Sequence, residues 1–285
     1  MSHAFRVEVN GVGLAVVDHA PGRRDLPTLV LAHATGFCGG VWEPIVPALS
    51  ERFRVVTYDQ RGHGDSDKPD AAYDWAGFVA DLAGLVDALG SGPVLAAGHS
   101  KGGAAVAGVA ARHPGRLSRV VLLDPVLVAP PVPGEDRVSS IRLAAGARRR
   151  REVWESREAL CDSLAARPPF SEWRRDFVEA YVRHGTAPTG DGRFRLKCPG
   201  EIEARVYEGA AASSSLEFLR DVRIPALVVA GQESDVLPPE LARLALSTAP
   251  DARLVVLPGI GHFVPMQAPE RSVDLLVGFL SGEAA

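Results

Sequence analysis

The sequence predicts an α/β fold: a mostly parallel, doubly wound sheet interrupted by one helical cap insertion. Three observations carry that prediction. Short all-apolar runs alternate with amphipathic helical stretches along most of the chain. The alternation lapses between about residues 126 and 220. A Gly98-His99-Ser100-Lys101-Gly102-Gly103 turn joins one apolar run to a small-residue helix.

Residues 5–9 alternate like a half-buried strand, and Asn10-Gly11 is a hairpin turn into a second strand at 14–18. A Pro/Gly-rich connection at 21–27 leads to Thr28–Ala32, a short apolar strand suited to the inside of a parallel sheet. The runs 54–58, 94–97, 119–123, 226–230 and 253–257 repeat that signature. Helical periodicity falls at 42–50, 75–89, 104–112, 240–247 and 269–280. The polar, arginine-rich stretch 126–220 has no apolar strand runs and reads as helical; it opens with Pro130-Pro131-Val132-Pro133-Gly134 and closes near Ser213-Ser214-Ser215. The expected division is therefore a core of 1–125 and 221–285 with a cap of 126–220, inserted after a strand on the side where strand ends carry chemistry.

With 285 residues, a net charge of −4 and 46% hydrophobic residues, the chain has no basic field for nucleic acid. Only three of 31 basic residues are lysine, a skew expected from a GC-rich genome rather than from binding. Cys38, Cys161 and Cys198 are widely spaced without a CxxC, so neither a disulfide framework nor a metal site is expected. Met1-Ser2-His3-Ala4 does not read as the start of a signal peptide, and no apolar run reaches the roughly 18 residues that span a bilayer. A cytoplasmic monomer or homodimer without a membrane partner is the expectation.

The chemistry centres on Ser100. A Gly-x-Ser-x-Gly turn between a buried strand and a helix is a nucleophile elbow, tight enough to admit only small neighbours. It lifts Ser100 Oγ above the sheet and presents the Lys101 backbone N–H to a developing oxyanion. A free serine is a poor nucleophile at neutral pH, so it needs a base. His262, in Gly261-His262-Phe263 after the last strand, is the candidate, in the chain order Ser…acid…His. His33-Ala34-Thr35-Gly36-Phe37 follows the third strand, and the Thr35 N–H is the candidate second oxyanion donor. His33 reads as a buried hydrogen-bonding residue that shapes this loop. Asp59-Gln60-Arg61-Gly62-His63-Gly64-Asp65-Ser66 reads as a structural turn in which Asp59 and Arg61 bond backbone and each other. No cofactor and no metal is called for.

Along nearly the whole chain these features resemble the α/β-hydrolase superfamily: the strand order, the D-x-R-G-x-G-x-S loop, the elbow and the C-terminal Gly-His. His-Ala-Thr-Gly-Phe, the Ala147-Arg148-Arg149-Arg150-Arg151 run, Tyr181-Val182-Arg183-His184-Gly185 and Leu196-Lys197-Cys198-Pro199 resemble one subgroup. That subgroup includes fungal peroxisomal hydrolases of secondary metabolism, some acting on acyl-CoA thioesters. The usual acid follows the seventh strand as G-x-x-D-x-x-x-P. Here Gly231-Gln232-Glu233-Ser234-Asp235-Val236-Leu237-Pro238 puts Ser234 in the acid's place and Asp235 one residue late. Asp124, at the end of the sixth strand, occupies the place where some members hold their acid. Asp124 is favoured, with Asp235 as the alternative.

Arg148 to Arg151 read as a solvated helix face, or more sharply as a clamp for a phosphate such as those of coenzyme A. Trp154, Phe170, Trp173, Phe177 and Tyr181 give the insertion an aromatic face, with Phe37 and Trp42 below it; Phe37, Trp42, Trp154 and Trp173 are the candidate pocket. The expected activity is hydrolysis of a carboxylic ester or thioester of modest size through an acyl-enzyme. C–C bond hydrolysis, lactone hydrolysis and perhydrolysis fit the same site, and a ligand receptor with little turnover is the non-enzymatic alternative. Epoxide hydrolases and dehalogenases use an aspartate where this chain has Ser100.

Overall fold

The computed structural model describes residues 2–71, 73–129, 138–210, 213–247, 249 and 251–282. Apolar runs become strands β1 (His3–Val9), β2 (Val12–Asp18), β3 (Thr28–Ala32), β4 (Arg54–Tyr58), β5 (Val94–His99) and β6 (Leu117–Leu123). The inserted segment supplies β7 (Val153–Trp154), β8 (Thr186–Pro188) and β9 (Phe194–Leu196), and the chain returns with β10 (Ala226–Gly231) and β11 (Ala252–Leu257).

The main sheet has eight strands in the order β1-β2-β4-β3-β5-β6-β10-β11. The leading hairpin is antiparallel and β2 pairs antiparallel with β4, while every later pairing is parallel. Buried parallel strands need cover on both faces. One apolar layer holds Phe78, Leu82, Val106 and Val120; the other holds Leu31, Val55, Val121, Leu276 and Phe279. Every residue of β3, β4 and β5 is buried, which explains the unbroken apolar runs there.

Three expectations are corrected. The periodicity at 42–50 yields a 3₁₀ turn at Gly39–Trp42 and a short helix at Val46–Leu49, because Pro44 lacks the N–H that a continuous helix needs there. The insertion is not helical throughout: β7, β9 and β8 form a three-stranded antiparallel sheet among its helices. Arg61 pairs not with Asp59 but with buried Asp81 on the helix Trp75–Leu89, at 2.6 Å. Asp59 instead accepts the N–H groups of Gly39 and Asp65 at 2.6 and 2.7 Å. The Pro-rich opening at 130–134 lies outside the described residues.

The insertion is tied to the sheet at named points. The Trp75 indole N–H donates to the Val206 carbonyl at 3.2 Å, Arg183 pairs with Glu43 at 2.6 Å, and the Arg174 N–H donates to the Met266 carbonyl at 2.9 Å. The last contact brings the insertion beside the loop that carries His262.

Candidate active site

Ser100 sits between β5 and the helix Lys101–Arg112 with φ 57° and ψ −123°, a conformation L-residues rarely adopt. Close packing holds it there. A Cβ on Gly98 would lie 2.4 Å from the Gly102 carbonyl, and one on Gly102 would lie 2.3 Å from the Ala32 carbonyl oxygen. The elbow is also stitched to the next strand end: the Ser100 N–H donates to Leu123 at 3.0 Å, and the Val126 N–H donates to Ser100 at 3.2 Å. Those bonds flank Asp124, itself at φ 42°.

His262 joins the two. Its Nε2 lies 3.0 Å from Ser100 Oγ and its Nδ1 lies 2.7 Å from Asp124 Oδ1. With Nδ1 donating to the carboxylate, Nε2 is free to accept the serine proton. Asp124 is fully buried, and its oxygens are filled by donors. Oδ2 accepts the Gly231 N–H at 2.8 Å, and Oδ1 also accepts the Ser234 hydroxyl at 2.7 Å. Such donors satisfy a carboxylate that has no access to water. Asp235 is exposed and makes no hydrogen bond to His262. Ser234, in the register position of the usual acid, thus contributes a hydroxyl to a carboxylate arriving from β6.

His99, which the sequence reading passed over, donates its Nε2–H to the His262 carbonyl at 3.0 Å. Burial pushes its pKa well below the ordinary histidine value, so it remains a neutral brace under the His262 loop. Gly231 makes room for that loop: a Cβ there would lie 2.2 Å from the Gly261 carbonyl oxygen.

The Lys101 N–H opens a helix, where first-turn amides lack intrahelical acceptors. Thr35, within the loop after β3, is buried. Glu203 packs against this loop, and its Oε1 would lie 2.7 Å from a Cβ on Gly36. Glu203 pairs with Arg150 at 2.5 Å; burial raises its pKa while the guanidinium opposes the rise.

Of the four candidate pocket aromatics, the structure groups two. Phe37 meets Trp173 edge-on at 5.2 Å between ring centroids, and Trp173 lies 5.3 Å from Phe263. Phe263 in turn sits 5.0 Å from the His262 ring, and Tyr181 closes on Phe37 at 5.3 Å. Trp42 and Trp154 share that apolar layer, but among the described residues neither makes a ring contact with this group. Trp42 is fully buried beneath it, and the Arg151 guanidinium covers the Trp154 ring at 4.3 Å. Phe263, which joins this group of rings, was not among the candidates, though its place beside His262 was the available signal. The arginine run is largely neutralised within its own segment. Arg148 pairs with Glu201 and Glu208, Arg150 with Glu203, and Arg151 with Glu155.

Known proteins resemble this chain along nearly its full length. The model of the alpha/beta hydrolase family matches residues 29–275. A 2-(acetamidomethylene)succinate hydrolase of Mesorhizobium japonicum is 29% identical over 277 residues, covering 96% of this chain and 94% of that protein. A bifunctional esterase/perhydrolase of Acinetobacter calcoaceticus is 26% identical over 279 residues, covering 95% and 97%. The crystal structure of E-2-(acetamidomethylene)succinate hydrolase superposes with a TM-score of 0.85 at 27% identity, covering 99% and 100% of the two chains.

Proposed function

Since the chain belongs to the alpha/beta hydrolase family, we propose that it hydrolyses a small carboxylic ester or thioester through an acyl-enzyme on Ser100. The observation that carries this reading is His262 spanning Ser100 Oγ at 3.0 Å and Asp124 at 2.7 Å.

Ser100 Oγ attacks the substrate carbonyl as His262 Nε2 takes its proton. Asp124 holds the ring with Nε2 facing the serine and stabilises the imidazolium that forms. The Thr35 and Lys101 N–H groups receive the oxyanion. His262 then gives its proton to the leaving alcohol or thiol, and the same residues activate water to release the acid. Phe37, Trp173 and Phe263 favour an apolar substrate portion of modest size beside the serine, which is only 7% exposed.

The second reading is hydrolysis of an acylated amine on a small organic acid. It is favoured by the full-length likeness to the 2-(acetamidomethylene)succinate hydrolase. A panel of short p-nitrophenyl esters, acyl-CoA thioesters, lactones and N-acyl enamines separates the readings. Turnover of an ester or thioester that falls at least about a thousandfold in Ser100→Ala is the expected result. Turnover confined to the N-acyl substrates would favour the second reading, and turnover undiminished in Ser100→Ala would defeat both.

A further inference from the structure

Lysine is scarce in this chain, and the one that follows Ser100 is 1% exposed. Among the described residues no carboxylate pairs with it. Its Nζ lies 3.4 Å from the Phe78 ring centroid and donates to Gln60 Oε1 at 2.8 Å. A buried lysine without an ion-pair partner needs a reason to be there.

That reason lies on the far side of Gln60. With its oxygen turned to Lys101, the Gln60 amide N–H donates to the His33 carbonyl. The Gln60 backbone N–H donates to His33 Nε2 at 3.0 Å, which leaves the ring proton on Nδ1. Nδ1–H donates to the Ala34 carbonyl at 2.7 Å. That carbonyl and the Thr35 N–H belong to one planar peptide, so fixing one fixes the direction of the other. The next amide is braced too, since the Gly36 N–H donates to His63 Nε2 at 3.1 Å. Burial and the Lys101 charge push His33 down to about 3, so its ring stays a neutral acceptor.

We propose that the Lys101 side chain is a positioning residue for the oxyanion site. Through Gln60 and His33 it aims the Thr35 N–H, while its own backbone supplies the other donor. One residue thereby sets the spacing between the two donors, because its side chain and its amide hold opposite walls of the site. The inference rests on the reading of Ser100 as nucleophile.

The test is Lys101→Met, close in volume and without a donor, assayed with p-nitrophenyl acetate and an aliphatic trifluoromethyl ketone that forms a tetrahedral adduct. We expect kcat to fall about ten- to a hundredfold with KM little changed, and the ketone's inhibition constant to rise by the same factor. A merely structural role would lower Tm without weakening the ketone on the active fraction. Gln60→Leu should match Lys101→Met, and the double variant should be no worse than the poorer single one. Unchanged kcat, or lowered kcat with unchanged ketone affinity, would overturn the proposal. If neither variant folds, ¹⁵N NMR of histidine-labelled wild type decides: a Nδ1–H tautomer at His33 supports the chain of bonds, and a Nε2–H tautomer overturns it. Fluorophosphonate labelling of the wild type separates the two levels. No adduct at Ser100 defeats both readings, whereas an adduct with an unaffected Lys101→Met defeats only this one.

Discussion

At the residue scale, the proposed acid, Asp124, is the feature that sets this site apart. A carboxylate at the end of β6 reaches His262, while the register position after β10 holds Ser234, whose hydroxyl donates to that carboxylate. Asp124→Asn should lower kcat by roughly a hundredfold or more through the wrong histidine tautomer, and Asp235→Asn should stay near wild type. Ser234→Ala removes one of the donors that orient the Asp124 carboxylate, and a loss of about tenfold in kcat is expected. Steady-state rates on folded protein, with Tm as the check, decide the three. A crippled Asp235→Asn beside an active Asp124→Asn would reverse the assignment. The glycine and proline register had already put Ser234 in the acid's place. The hydroxyl's bond to Asp124 was not legible, because it joins residues whose proximity only the folded sheet creates.

At the scale of elements, the elbow is held by glycines with no room for a methyl group. Others have ample room. A Cβ at Gly102 would strike the Ala32 carbonyl at 2.3 Å, whereas one at Gly278, inside the helix Pro269–Leu280, meets nothing within 4 Å. Gly102→Ala should cost at least about 2 kcal/mol, since backbone atoms cannot yield as side chains do. Gly278→Ala should stabilise by up to about 1 kcal/mol through helix propensity. Urea midpoints check both, and a neutral Gly102→Ala would contradict the packing argument. Buried parallel strands were readable because both faces are covered and the apolar runs are continuous. The strands of the inserted segment were not, being two or three residues long and only partly buried. A signal for β8 and β9 did exist in Asp191-Gly192, where Gly192 turns at φ 84° and the Thr189 N–H donates to the Arg193 carbonyl at 2.7 Å. The apolar spacing at 42–50 does not become one long helix, because Pro44 interrupts the backbone bonding that such a helix needs.

For the molecule as a whole, the buried rings give stability a defined dependence on pH. Burial lowers the pKa of His33, His63 and His99 below that of the unfolded chain. Their neutral forms favour the fold fully above about pH 6.5, and the advantage is lost as pH falls below it. Each ring withdraws up to about 1.4 kcal/mol per pH unit in that range. Asp59 and Glu203, raised by burial, act in the opposite sense, but two carboxyls do not outweigh three rings. Denaturant midpoints should therefore drop between pH 7 and 5.5; a flat or rising profile would contradict the neutral assignment. The same architecture brings His262, Asp124 and a strained Ser100 from three separate loops to one point, and acyl transfer to Ser100 is the function proposed for it. Rapid-quench intact-mass analysis of p-nitrophenyl acetate turnover tests it most directly. A transient mass gain of one acetyl group is expected, mapped to the peptide bearing Ser100 and absent from Ser100→Ala. Turnover with no adduct on Ser100, or the same adduct persisting in Ser100→Ala, would contradict it.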